Sequence, residues 1–80
     1  MASDALAALD RLFGELIEQQ RRKVVAEARR RDPRLTDDDV EQPHDFPVLA
    51  GDPRWQYEDG VLAGFRAAHM AVRAELLKRS

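Results

Sequence analysis

His69 carries the chemistry in this chain that most depends on its neighbours, because it falls on an otherwise apolar helical stripe. An imidazole flanked by carboxylates would hold iron or zinc. On an antiparallel neighbouring helix, Glu15 or Glu18 would be the carboxylates expected to approach it. The Glu-x-x-His spacing of di-iron helical bundles is absent, since Arg66 stands three residues before His69. A hydrogen-bonded histidine inside a helix interface is therefore the expectation, and a carboxylate–histidine metal site the second alternative.

Two further acidic groupings, His44-Asp45 and Glu58-Asp59, lie in or beside the central connection. Adjacent carboxylates can split their pKa values and do acid–base work. Here a simpler reading serves: Glu58 and Asp59 suit the early turns of a helix, and Asp45 suits a helix cap. Asp37-Asp38-Asp39 lacks the alternating spacing and glycine of a calcium loop. The only serines are Ser3 and Ser80, and there is no cysteine, so a serine or thiol nucleophile has no place in the middle of the fold. No catalytic, cofactor-binding or metal-ligating residues are assigned, and the expected protein is not an enzyme and uses no cofactor.

Arginine supplies the other concentrated chemistry. Residues 18–34 hold seven basic and three acidic side chains, whereas residues 37–59 hold eight acidic and one basic. Arg22, Arg29, Arg30, Arg31 and Arg34 would make a phosphate-facing stripe, the basis of an alternative reading as a nucleic-acid-associated dimer. The competing expectation is that the acidic connection folds back over the basic end of the first helix and neutralises it. The net charge of −2 provides no global attraction to nucleic acid or membrane.

The elements that must position these groups are helical. Leu6, Leu9, Phe13, Leu16, Ile17, Val24 and Ala28 recur at three-and-four spacing, with Gln20 on the same stripe. This predicts a long helix over about residues 3–31, roughly 40 Å in length. Ser3 is its expected N-cap, Arg29, Arg30 and Arg31 suit its negative end, and Asp32-Pro33 stops it. A second long helix is predicted over about residues 53–78. It opens at Asp52-Pro53 and carries Trp55, Leu62, Phe65, His69, Val72 and Leu76 as its main stripe. Val61, Ala63, Ala67, Ala68, Met70, Ala74 and Leu77 widen its apolar surface.

The connection, about residues 32–52, is too rich in apolar residues for a slack linker. Thr36 with Asp39 resembles a capping box and predicts a short helix from Asp37 to about Gln42. Asp45 with Pro47 predicts another turn ending at Gly51. Phe46, Val48, Leu49 and Trp55 are expected to complete a core that two helices alone leave thin.

The predicted architecture is all-α: one domain spanning residues 1–80, an antiparallel hairpin of two long helices with an ordered connection, dimerising into a four-helix bundle. A chain this short gains stability from regular helices and from association. No apolar run is long enough for a transmembrane helix. The N-terminus lacks a basic n-region, so a cytoplasmic location is expected. High arginine and alanine usage points to a high-GC bacterial source. The function these features favour is a small helical protein–protein interaction module, an adaptor, regulator or structural subunit that forms a homodimer and meets a partner protein. Phe46, Trp55, Tyr57, Leu62, Phe65, His69, Val72 and Leu76 are the expected partner-binding residues.

Overall fold

The computed structural model describes residues 2–42 and 46–79, with side chains from residue 4 onward. Four helices follow in order: α1 (Ala2–Arg31), α2 (Asp37–Val40), α3 (Pro47–Ala50) and α4 (Pro53–Arg79). There is no strand among the described residues. The two long helices pack on each other and run antiparallel. Asp10 meets His69, Gln20 meets Glu58, and Arg30 meets Asp52, so positions rise along α1 as they fall along α4.

Each boundary has a local cause. α1 begins at Ala2, which puts the expected cap Ser3 inside the first turn; the helix starts two residues earlier than a cap at Ser3 allows. Its last turn carries Arg29, Arg30 and Arg31 against the negative end of the dipole. Pro33 then stops it, and the Asp32 carbonyl accepts from the Leu35 N–H at 3.1 Å to close the turn. α2 starts with the predicted capping box: the Thr36 hydroxyl accepts from the Asp39 N–H, and the Asp39 carboxylate accepts from the Thr36 N–H. It ends at Val40, short of Gln42. α3 opens with Pro47 in its first turn and Phe46 as a cap that makes no side-chain bond. The expected cap Asp45 lies outside the described residues. Asp52 caps α4, its Oδ1 accepting from the Arg54 N–H at 3.2 Å while its carbonyl accepts from the Gln56 N–H.

The core is a plug at the connection end. Val24 and Ala28 of α1 meet Trp55 and Leu62 of α4, and the connection adds Leu35, Val40 and Leu49. Phe46, Ile17 and Val25 pack against this cluster from its edge. Of the apolar residues expected from the connection, Leu49 and Trp55 are buried and Phe46 is half-buried. Val48 instead points outward, because a single turn of α3 can bury only one of its two consecutive bulky residues. Every buried side chain among the described residues falls between Gln20 and Leu62.

In the open half, where α1 and α4 pack on each other, no residue among those described is completely buried. Leu6, Leu9, Phe13 and Leu16 remain half-buried, as do Phe65, Val72 and Leu76. The molecule measures 46 × 18 × 16 Å, little thicker than one layer of paired helices. Its radius of gyration is 15.3 Å, against about 12 Å for a compact domain of this length.

Candidate functional site

The seam of the open half holds a polar cluster that joins the two long helices. The Asp10 carboxylate of α1 accepts from His69 Nε2 at 2.8 Å and from the Arg73 guanidinium, both on α4. His69 and Arg73 stand four residues apart on one helix face, so a single carboxylate reaches both. Phe13, three residues after Asp10, lies flat on the His69 ring with centroids 5.0 Å apart and planes 7° from parallel. The Arg73 hydrogen bond, and then the His69 one, hold the Asp10 carboxyl below its ordinary pKa. The expected neighbours Glu15 and Glu18 do not reach this histidine. Glu18 turns instead to Arg21 and Arg22 on its own helix, at 2.9 and 3.4 Å. Among the described residues no three His, Asp or Glu side chains converge on a point a cation would occupy. The second histidine, His44, lies outside the described residues. The cluster's groups are a carboxylate, an imidazole and a guanidinium, an arrangement suited to fixing the pairing of two helices.

The arginine segment is engaged mostly within the chain. Arg30 binds Glu27 at 2.8 Å and Asp52 at 3.0 Å, and Arg31 approaches the same Asp52 carboxylate at 3.4 Å. Asp52 is nearly enclosed, so the start of α4 is clamped to the end of α1 by a carboxylate that also caps the helix. Arg34 folds onto Asp32 at 3.1 Å and lowers its pKa, and Arg22 lies 3.4 Å from Glu18. Arg21 bridges Glu18 and Asp37, each at 2.9 Å, tying α2 to α1; both bonds favour its charged form. Of the five arginines in the predicted stripe, Arg29 alone has no ion pair among the described residues.

No family model matches the chain, and no curated protein and no solved structure matches it either.

The surface must therefore speak through its own geometry. On one flank of the hairpin, α1, α2 and α4 enclose an open cavity of ≈ 530 Å³ with Val24, Val40 and Leu62 at its base. Arg21, Arg66, Asp37, Glu41 and Asp59 line its rim. The residues expected to meet a partner divide into three sets. Trp55 and Leu62 belong to the core, at 3% and 4% exposure. Phe46, Phe65, His69, Val72 and Leu76 are half-buried, and Tyr57 stands out at 70% exposure. No helix is long and apolar enough to cross a membrane among the described residues.

Three side chains that organise the fold escape a reading by residue type. Asp10 is an ordinary first-helix carboxylate until α4 places His69 and Arg73 beside it. Gln20 is buried, with Nε2 donating to the Glu58 main-chain carbonyl at 2.9 Å; its position on the apolar stripe was the available signal. Asp52 announces its capping role through Pro53, whereas its grip on Arg30 and Arg31 depends on the fold-back.

Proposed function

We propose that this chain is a non-enzymatic helical interaction module that associates with a second copy of itself and, as a dimer, serves as an adaptor, regulator or small structural subunit. The supporting observation is the surface it leaves uncovered. A compact monomer of 9.1 kDa exposes about 4,900 Å² on the usual surface–mass scaling. This chain exposes 5586 Å². The surplus, on the order of 700 Å², is close to the roughly 800 Å² each partner contributes to a standard interface. The apolar residues of the open half have one neighbouring helix where a bundle would supply two or three.

The groups capable of reaction support the same reading. Both Asp10 carboxylate oxygens are engaged, one by His69 Nε2 and one by Arg73, and the arginine segment is largely neutralised by Glu18, Glu27, Asp32 and Asp52. Size-exclusion chromatography with light scattering across a concentration series tests the proposal. A mass near twice 9.1 kDa is expected; a mass that stays at the single-chain value at every concentration would refute self-association.

A further inference from the structure

The two flanks of the hairpin differ in chemistry, and the difference identifies which one a second copy covers. One flank is fixed by the cavity, where Arg21 and Val25 of α1 share a wall with Asp59 and Arg66 of α4. That side is charged and is partly roofed by α2. At about 100° per residue, Leu9, Leu12 and Leu16 fall on the opposite side of the α1 seam from Arg21 and Val25. By the same rotation Phe65, Ala68 and Val72 fall on the opposite side of the α4 seam from Asp59 and Arg66. Because α1 and α4 are antiparallel, these two sets share the second flank and lie abreast.

We infer that this second flank, centred on Leu12 and Ala68, is the surface on which another copy of the chain packs, giving a twofold four-helix bundle. The inference rests on the proposed self-association and specifies its site. Leu12 is 49% exposed and Ala68 is exposed, while Leu9, Leu16, Phe65 and Val72 are half-buried, so the flank is apolar and uncovered. Its limits are marked by charge. Continuing the same spacing meets Lys23 on α1 and, on α4, Glu75, which binds Arg79 at 3.0 Å. A charge-free patch with charged ends is self-complementary, as an isologous contact requires, since each residue meets the same surface on its partner. The uncovered area of the chain matches one side of such a contact.

Small residues on α4 fit this arrangement. A side chain built at Gly64 would meet nothing within 4 Å, so the protomer itself gives no packing reason for a glycine in the middle of a helix. With Ala68 one turn on, it leaves room for a neighbouring helix to come close. The dimer would then carry its two charged cavities on its outer sides, open to a further partner.

The absence of cysteine allows a clean test. Light scattering of Leu12→Glu, Ala68→Glu and Met70→Glu is compared with the wild type, with circular dichroism confirming helix content. Met70 is 71% exposed and falls, by rotation, on the cavity side. Leu12→Glu and Ala68→Glu are expected to weaken dimerisation by at least about 30-fold, the effect of a poor central contact, and Met70→Glu to leave it unchanged. In a second measurement, Ala68→Cys is expected to form an interchain disulfide under mild oxidation much faster than Met70→Cys. A wild-type dimer that survives both flank charges, dissociates with Met70→Glu, or cross-links preferentially through Met70→Cys would overturn this assignment while leaving self-association standing. A wild type that is monomeric throughout would overturn both. An assembly that grows beyond two copies would also overturn it, because a closed isologous pair leaves no such surface free.

Discussion

Asp10 and His69 stand 59 positions apart in the chain, yet the Asp10 carboxylate accepts from the imidazole Nε2 at 2.8 Å. The same carboxylate takes Arg73 on its other oxygen, so one short side chain of α1 holds two successive turns of α4. Phe13 stacks on the bonded ring. In a half of the molecule with no fully buried residue among those described, this is the most specific pairing the two helices have. Its strength should depend on pH with a definite sign. A carboxyl whose pKa is lowered by folding contributes stability above its unfolded value, near 3.8, and loses it as pH falls through the lower folded value. Asp10→Asn should therefore melt at a lower temperature than wild type at pH 7. The gap should narrow as pH falls below 3.8 and close once pH has passed the lower folded value, where the wild-type carboxylate is itself protonated. The effect will be modest because the group is partly solvated. Melting curves followed by circular dichroism at several pH values measure it, and an unchanged gap at acid pH would show that the carboxylate's charge is not what matters.

Leu49 and Val48 are neighbours with opposite surroundings. Leu49 is fully enclosed and Val48 is 40% exposed. If the connection plugs the core, Leu49→Ala should cost about 3 kcal/mol, the usual range for emptying a buried leucine site. Val48→Ala should stay within about 0.5 kcal/mol. Chemical denaturation of the pair decides the matter, since equal small losses would mean that the connection merely lies on the hairpin.

Asp52 combines two tasks that substitution can separate. Its Oδ1 accepts from the Arg54 N–H and its Oδ2 meets Arg30 at 3.0 Å and Arg31 at 3.4 Å. Alanine removes both functions, and asparagine keeps an oxygen for the cap while losing the charge. Asp52→Ala is expected to lose about 2 kcal/mol, and Asp52→Asn about half of that. Equal losses in the two variants would assign the whole contribution to the arginine clamp.

Much of this architecture is legible because local rules and tertiary packing agree. Three-and-four spacing gives both long helices, Asp32-Pro33 and Asp52-Pro53 mark the ends of the fold-back, and Thr36 with Asp39 forms the capping box seen in the structure. The register of α1 against α4 is not written in any local pattern. It follows from how α2 and α3 pack on the long helices, and that decides why His69 finds Asp10 and not Glu18, more than two turns away along α1. The plug composition is equally non-local. Leu35 and Val40 look like isolated apolar residues between polar runs, yet both are buried, Leu35 from the turn that follows α1 and Val40 from the end of α2. The candidate interface was visible only as apolar residues distributed over helices. Sorting them onto one flank required knowing which side α2 covers.

Gln20 offers the sharpest separation of stability from specificity. Its amide donates to the Glu58 carbonyl within an otherwise apolar layer, next to Val24 and Leu62. That carbonyl lies inside α4, where the helix already supplies it with a partner, so removing the amide strands no acceptor. Replacing a buried hydrogen-bonding side chain by an apolar one of similar volume is often neutral or favourable when no orphan group remains. Gln20→Met should accordingly leave stability within about 1 kcal/mol of wild type, or raise it. The amide can be satisfied only where it faces a free carbonyl lone pair, whereas methionine accepts neighbouring registers almost equally. The variant should therefore show the cost in uniqueness, as doubled or broadened amide resonances for residues near Gln20 and Glu58 in nitrogen–proton correlation spectra. Sharp single resonances together with a loss above about 2 kcal/mol would reverse the argument, making this hydrogen bond a net source of stability rather than the peg that sets the register.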